Sequence, residues 1–302
     1  MIGMYQKFSP LRQHLPTALI LNYNRTVREI YCDATKLTMV EVEHTCALMY
    51  VCHRSREEVN KNWLPTWIPQ WNRKQDLRWE PSPLNHKDFR ASGPSKFDIN
   101  HPRQRRLDTL TLNGIVVDRI QAFASPFTQE TLQTPETFLR LLHSTEALLA
   151  MRTCKPSGLE HTLVASLDSK RDLLTREQSA MGYRALVQHI EQSHSFPSIA
   201  SAKGTFDINP SGAYLEALRR WFMNRCFFVT YDGYIGIGPK VMEQGDLVTI
   251  LYGSRVPIVL REVDSVKSHT VVGQAYLDGA MFGEVVLRHD PARKGDVRFD
   301  LV

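Results

Sequence analysis

The C-terminal part of the chain constrains the fold most. From Cys226 onward the runs "CFFVT", "YIGIG", "DLVTILYG", "PIVLREV", "TVVGQAYL" and "EVVLRHD" follow one another, separated by Gly, Pro and Asp. Short β-rich runs with regular turn signals are the pattern of a small barrel or a strongly curled sheet. Within them, "TYDGYIGIGPKVMEQGD", Thr230 to Asp246, invites a second reading, a glycine-rich phosphate cradle. Such a cradle needs glycines in a set order between a strand and a helix, because backbone amides must converge on the anion at a helix N-terminus. Gly236 and Gly238 could open a dinucleotide fingerprint, but its third glycine would fall on Val241. No Lys-Ser or Lys-Thr pair follows, and Pro239 with the turn "MEQGD" leaves no room for a long helix. The structural alternative fits each residue. Gly233 closes a turn, Gly236 and Gly238 share one strand face and admit close backbone approach, and Gly245-Asp246 turns into "LVTILYG".

Upstream, the texture is helical. "NRTVREIYCDATKL" opens with Thr26 and Glu29 in capping-box spacing, and Val27, Ile30, Tyr31, Ala34 and Leu37 continue at helical period, which predicts a helix from about 26 to 38. "HTCALMYVCHR" is expected to be helical too. Thr134 and Pro135 predict the start of a helix with Phe138, Leu141, Leu142 and Leu149 on its apolar face. Thr175 and Gln178 repeat the capping box, and "SGAYLEALRRWF" aligns Tyr214, Leu215, Leu218, Trp221 and Phe222. In "NWLPTWIPQW", Pro65 and Pro69 argue against a helix, so Trp63, Trp67 and Trp71 are expected on an extended segment as core anchors. Residues 72–107 are polar and lack periodicity, which predicts a long surface connection. "TLTLNGIVVDRI" then alternates as strand.

The 302 residues carry a net charge of +5, and no apolar run is long enough to cross a bilayer. Five cysteines at irregular spacing suit a reducing, cytoplasmic setting rather than a disulfide framework. The one basic cluster, "HPRQRRLD", reads as a solvated loop. His44, Cys46, Cys52 and His53 could ligate zinc, yet they crowd one segment instead of forming two pairs around a finger-length loop, so they read as buried thiols and ordinary histidines and no metal is expected. Cys154 or Cys226 could serve as a nucleophile only with His161 or His289 within hydrogen-bond reach, and Cys226 reads as a core thiol. Asp246, Arg261 and Glu284 fall at strand ends of the expected barrel. They are the candidate acid–base or ligand residues, and the plainer alternative is that Arg261 and Glu284 pair to hold strand ends together.

The ordered series Phe227, Phe228, Thr230, Gly233, Tyr234, Gly236, Gly238 and Pro239, followed by Gly245-Asp246, Val248, Gly253, Pro257, Leu260-Arg261, Val272-Gly273, Tyr276, Gly279, Met281 and Gly283-Glu284, resembles the C-terminal region of fungal heterokaryon-incompatibility (HET domain) proteins. "TVREIY", "LPTWIPQW", "FRASG" and "LNGIVVDRI" resemble earlier stretches of the same proteins. The HET domain itself, which the family links to cell death between unlike strains, has no counterpart beyond "MIGMYQ". The resemblance implies a regulatory or interaction protein of the self/non-self recognition type, working through protein contacts, and the residues themselves give no cofactor, metal or membrane-spanning signature.

The expectation is therefore an α+β protein: a mainly helical region with some strands over 1–223, and a small antiparallel β-barrel over 224–302. The alternative is an enzyme of a fungal biosynthetic pathway with a pocket between helices and barrel. A third reading, nucleic-acid binding through Arg103 to Arg106, is disfavoured by the spread of charge.

Overall fold

The computed structural model describes residues 24–60, 63–70, 83–98, 108–150, 158–198, 206, 208–263, 267–288 and 296–302. The basic cluster at 101–107, Trp71, Cys154 and His289 lie outside the described residues.

The capping boxes fix two helices. In α1 (Val27–Val42) the Thr26 side chain accepts from the Glu29 N–H and the Glu29 carboxylate accepts from the Thr26 N–H. Orphan donors at the first turn are thereby satisfied from both directions. The short helix α2 (Arg56–Asn60) follows after a 3₁₀ turn over Cys46–Tyr50. That turn is all the helix "HTCALMYVCHR" makes, because Val51 is extended and Cys52 bridges to Gly273 of the sheet. Helices α3 (Pro135–Ala150), α4 (Leu159–Leu163), α5 (Arg176–Ser193) and α6 (Pro210–Trp221) complete the helical layer. The anticipated face of α6 is buried, and Tyr183 of α5 meets Tyr214 edge-on at 5.9 Å. Phe127 stacks on Phe222 at 5.2 Å and 9°, joining that layer to the strands.

Eight strands form the sheet: β1 (Leu110–Phe123), β2 (Arg225–Thr230), β3 (Ile235–Pro239), β4 (Leu247–Leu251), β5 (Ile258–Val263), β6 (Ser268–Gln274), β7 (Tyr276–Leu277) and β8 (Val297–Leu301). β1 is long enough to serve two groups. Up to Arg119 it pairs with β8 (Leu110 opposite Leu301) and β4 (Arg119 opposite Leu247), and from Ile120 it pairs with β2 (Phe123 opposite Phe228). Irregular register between Ile120 and Ala122 marks the change of partner, where a bulge can bend the strand. The pairings β1–β4, β4–β5, β5–β6, β6–β8 and β8–β1 return to their starting strand. Side chains alternate between two cores. Val248 and Ile250 join one apolar cluster with Val259 and Val272, while Leu247 and Leu251 join the other with Leu260 and the helices. Burial on both faces is why β4 reads as a continuous apolar run instead of an alternating one.

Three expectations need correction. The strand layer is not drawn from 224–302 alone, since β1 lies at its centre, and it is not wholly antiparallel, since β6 meets β8 in parallel. "EVVLRHD" does not supply a strand: Glu284–Arg288 is a short helix, α7. Residues 83–98 of the expected surface connection are packed, with Leu84, Phe89 and Ala91 fully buried. Composition misled there because a few apolar anchors among polar residues carry no periodicity, yet each fills a place beside the sheet.

Of the tryptophans, Trp67 is buried and its Nε1 donates to the Asp108 carbonyl at 3.3 Å, whereas Trp63 is half exposed beside Tyr31. No described helix is long and apolar enough to cross a membrane.

Candidate functional site

Gly236 shows what the glycine stretch is for. It lies between Phe228 of β2 and Leu277 of β7, and a Cβ built there would stand 2.3 Å from the Tyr276 carbonyl oxygen and 2.5 Å from the Phe228 ring. Gly238, on the same face, borders the Met242 sulfur and the same ring. The glycines make room for packed neighbours, and β3 runs into a tight turn with no helix after it.

Asp246 and Arg261 do come together. Asp246 begins the turn into β4, and Arg261 reaches it from β5. Nε donates to one carboxylate oxygen at 2.8 Å and Nη2 to the other at 2.9 Å, a bidentate fork. The backbone completes the arrangement. Glu243 N–H donates to Asp246 Oδ2 at 2.7 Å, and Arg261 Nη2 also donates to the Val241 carbonyl at 3.0 Å. Arg261 Nη1 stands 3.2 Å from Glu243 Oε1, which Arg56 Nε also approaches at 3.5 Å. Asp246 is buried, and burial pushes its carboxyl up from the ordinary value while the Arg261 hydrogen bonds pull it back. A second fork lies at the same sheet edge but in solvent: Arg119 of β1 to Glu262 of β5, at 2.8 and 2.9 Å. These pairs lock β1, β4, β5 and the β3–β4 turn in register.

Glu284 is elsewhere. It opens α7 and its carboxylate accepts from the Phe282 N–H at 2.7 Å. Neither hydrogen bond nor ion pair joins it to Arg261 among the described residues, so the expected Arg261–Glu284 pairing is replaced by Arg261–Asp246. The three candidates thus form one internal clamp and one turn cap.

The thiol and imidazole candidates behave as buried groups. Burial pushes the Cys226 thiol up to about 12, against the thiolate a nucleophile needs. His161 shares a hydrogen bond of 3.0 Å with Ser179, and burial pushes its imidazole down to about 4. His53 Nε2 sits 2.9 Å from the Val271 carbonyl.

Sequence reasoning missed a cleft of about 660 Å³ formed where three chain segments meet. Val40, Glu43 and His44 come from the end of α1, Lys87 to Phe97 from the packed 83–98 segment, and Gly253 to Arg255 from the β4–β5 turn. Main-chain hydrogen bonds staple the segments together. Ala91 N–H donates to the Arg255 carbonyl and Ser92 N–H to the Ser254 carbonyl, both at 3.0 Å, and Thr45 N–H donates to the Gly253 carbonyl at 3.2 Å. Arg90 N–H reaches the Met281 carbonyl at 2.9 Å, and a Cβ on Gly283 would stand 2.8 Å from the Gly93 Cα, so two backbones touch where only glycines fit. The signal that could have found this site is the pair of stretches "FRASG" and "GSRVP", each with an arginine beside turn residues.

Lys87, Arg90, Lys96 and Arg255 surround the cleft, and among the described residues none has an ion-pair or hydrogen-bond partner for its side chain. One carboxylate, Glu43, lies in the lining. Burial, with Arg255 nearby, pushes the His44 imidazole down to about 4, and its buried Nδ1 has no hydrogen-bond partner among the described residues.

Residues 155–296 match the family model described as the Het-6 beta-barrel domain. The chain is also 37% identical over 71 residues to "Heterokaryon incompatibility protein 6, OR allele" of Neurospora crassa. That match covers 23% of this chain and 10% of the relative. No solved structure matches.

Proposed function

We propose that this chain, whose residues 155–296 match the Het-6 beta-barrel domain, is a fungal regulatory protein of the heterokaryon-incompatibility, self/non-self recognition type, acting in the cytoplasm by binding other proteins. The ring of β1, β4, β5, β6 and β8 is, on this reading, the barrel of that domain. Its first and last strands lie outside the matched residues, so the domain would extend to both.

The observation that carries the reading is how Asp246, Arg261 and Glu284 are used. An acid–base pair must present a proton or a lone pair to a substrate. Here Asp246 takes three N–H donors and Arg261 returns to a carboxylate and a carbonyl, all inside the sheet edge. Glu284 is held by its own turn. The scaffold is stiffened by charge, which suits a platform for contacts better than a turnover site.

Deleting the gene, and separately restoring it, in paired fungal strains and scoring growth of the fused cells tests this. Altered compatibility on deletion, restored by the wild-type chain, is the expected result. Unchanged compatibility, with a turnover activity in the purified chain, would overturn the reading.

A further inference from the structure

Unneutralised cations gathered in a concave place are costly unless something anionic visits them. Like charges repel, and the repulsion is weakest when each side chain can swing into solvent. Arg255 is only partly exposed and its main chain is anchored at the cleft by the Ala91 hydrogen bond, whereas the Lys87, Arg90 and Lys96 side chains are exposed at its rim. The Arg90 main chain is anchored in turn by its N–H to the Met281 carbonyl. Lys87 and Lys96 flank them on the same segment. Four cations face one carboxylate across a volume in the range of small-molecule sites.

We propose that this cleft binds an organic phosphate of about nucleotide size, its phosphate oxygens held among Arg90, Arg255, Lys87 and Lys96 and its carbon part laid against Val40 and Phe97. The charge count favours phosphate over carboxylate. With Glu43 matching one cation, a carboxylate ligand would match one more and leave two, whereas a phosphate ester brings up to two charges and three acceptor oxygens in the geometry of the arginine fork. Val40 is exposed and Phe97 partly buried, giving an apolar wall that an inorganic ion would not use. The site is preformed, because its three segments are tied by backbone bonds rather than by the ligand. The cations gather around one local cleft built from three short segments rather than along an extended groove, so a strand of nucleic acid is the less suited occupant. This inference is separate from the role in recognition and stands or falls without it.

The test is calorimetric titration of the full chain with adenosine 5′-triphosphate, inorganic pyrophosphate and a single-stranded oligonucleotide. Saturable ATP binding, tighter than pyrophosphate, is expected. The double substitution Arg90→Gln/Arg255→Gln should weaken ATP by at least ~10-fold while leaving the ligand-free melting midpoint in place. Arg119→Gln, which removes an arginine of the solvent-exposed fork, should leave ATP affinity unchanged and serves as the control. Failure of both ATP and pyrophosphate to saturate overturns the proposal, as does equal loss in the Arg119 control or none in the double variant. Pyrophosphate binding as tightly as ATP removes the organic part of it. Oligonucleotide binding that ATP cannot displace would overturn it in favour of nucleic acid.

Discussion

Two groups of arginines in this molecule have opposite fates. At the β4–β5 edge, Arg261 closes onto Asp246 with both ends of its fork, and Arg119 does the same with Glu262. At the cleft, Arg90 and Arg255 are held by their backbones and their side chains are left without a carboxylate among the described residues. The residue type is the same, and the neighbours decide. A guanidinium that meets a carboxylate inside the fold is part of the framework, and one that the framework positions but does not neutralise is available to a ligand.

The sharpest break of this comparison is Asp246→Ala. It takes the bidentate carboxylate from the mostly buried Arg261 and leaves it only the half-exposed Glu243 and the Val241 carbonyl, which costs up to about 3 kcal/mol, and urea denaturation should show it. Replacing both members with apolar residues should restore much of that loss, since the expense lies in the abandoned charge rather than in the lost pair. Gly236→Ala comes next, at about 1–3 kcal/mol, because the new methyl group meets a backbone carbonyl and a buried ring. A loss of less than a few tenths would mean that β7 is free to move away.

A pH titration of the melting midpoint sharpens the contrast from another side. Both His44 and His161 are pushed down to about 4 by burial, with Arg255 adding to the first and Arg176 to the second, while Asp278 pulls His161 the other way. Between about 6.5 and about 4 the unfolded chain therefore takes up protons that the folded chain refuses. Stability should fall as pH drops through that window, and His161→Gln should flatten part of the fall. If His44 instead titrates near 6.5 by NMR, its ring is not held away from water as described.

The smallest effects belong to exposed groups. Arg119→Gln breaks a half-exposed fork and should cost under about 1 kcal/mol. Arg90→Gln/Arg255→Gln should change ligand-free stability by no more than about 0.5 kcal/mol. A large loss there would move these arginines to the framework side of the comparison.

Local signals were legible wherever one stretch of chain carried its own rule. The capping boxes at Thr26 and Thr175 form as read, because the donors and acceptors lie within one turn. The same holds for the apolar face of α6 and for the packing role of the glycines around Gly236. The site was less legible. Asp246 and Arg261 were singled out, yet their partner relation was not, since nothing in sequence distinguishes Glu284 from Asp246 as the acceptor for Arg261. "EVVLRHD" read as strand because its β-branched pair outweighed a short helix that the preceding turn sets in place.

By itself, the sequence determined that this chain makes helices followed by short curled strands, and that its glycines pack strands rather than hold phosphate. Those outcomes depend on residues near one another along the chain. Only the tertiary structure decided that β1 enters the centre of the sheet, that Arg261 meets Asp246, and that Arg90 and Arg255 come to face one cleft. Each of these joins residues far apart in sequence. Such contacts follow from which surfaces fit and which charges can be neutralised once the strands have paired, and no periodicity records that in advance.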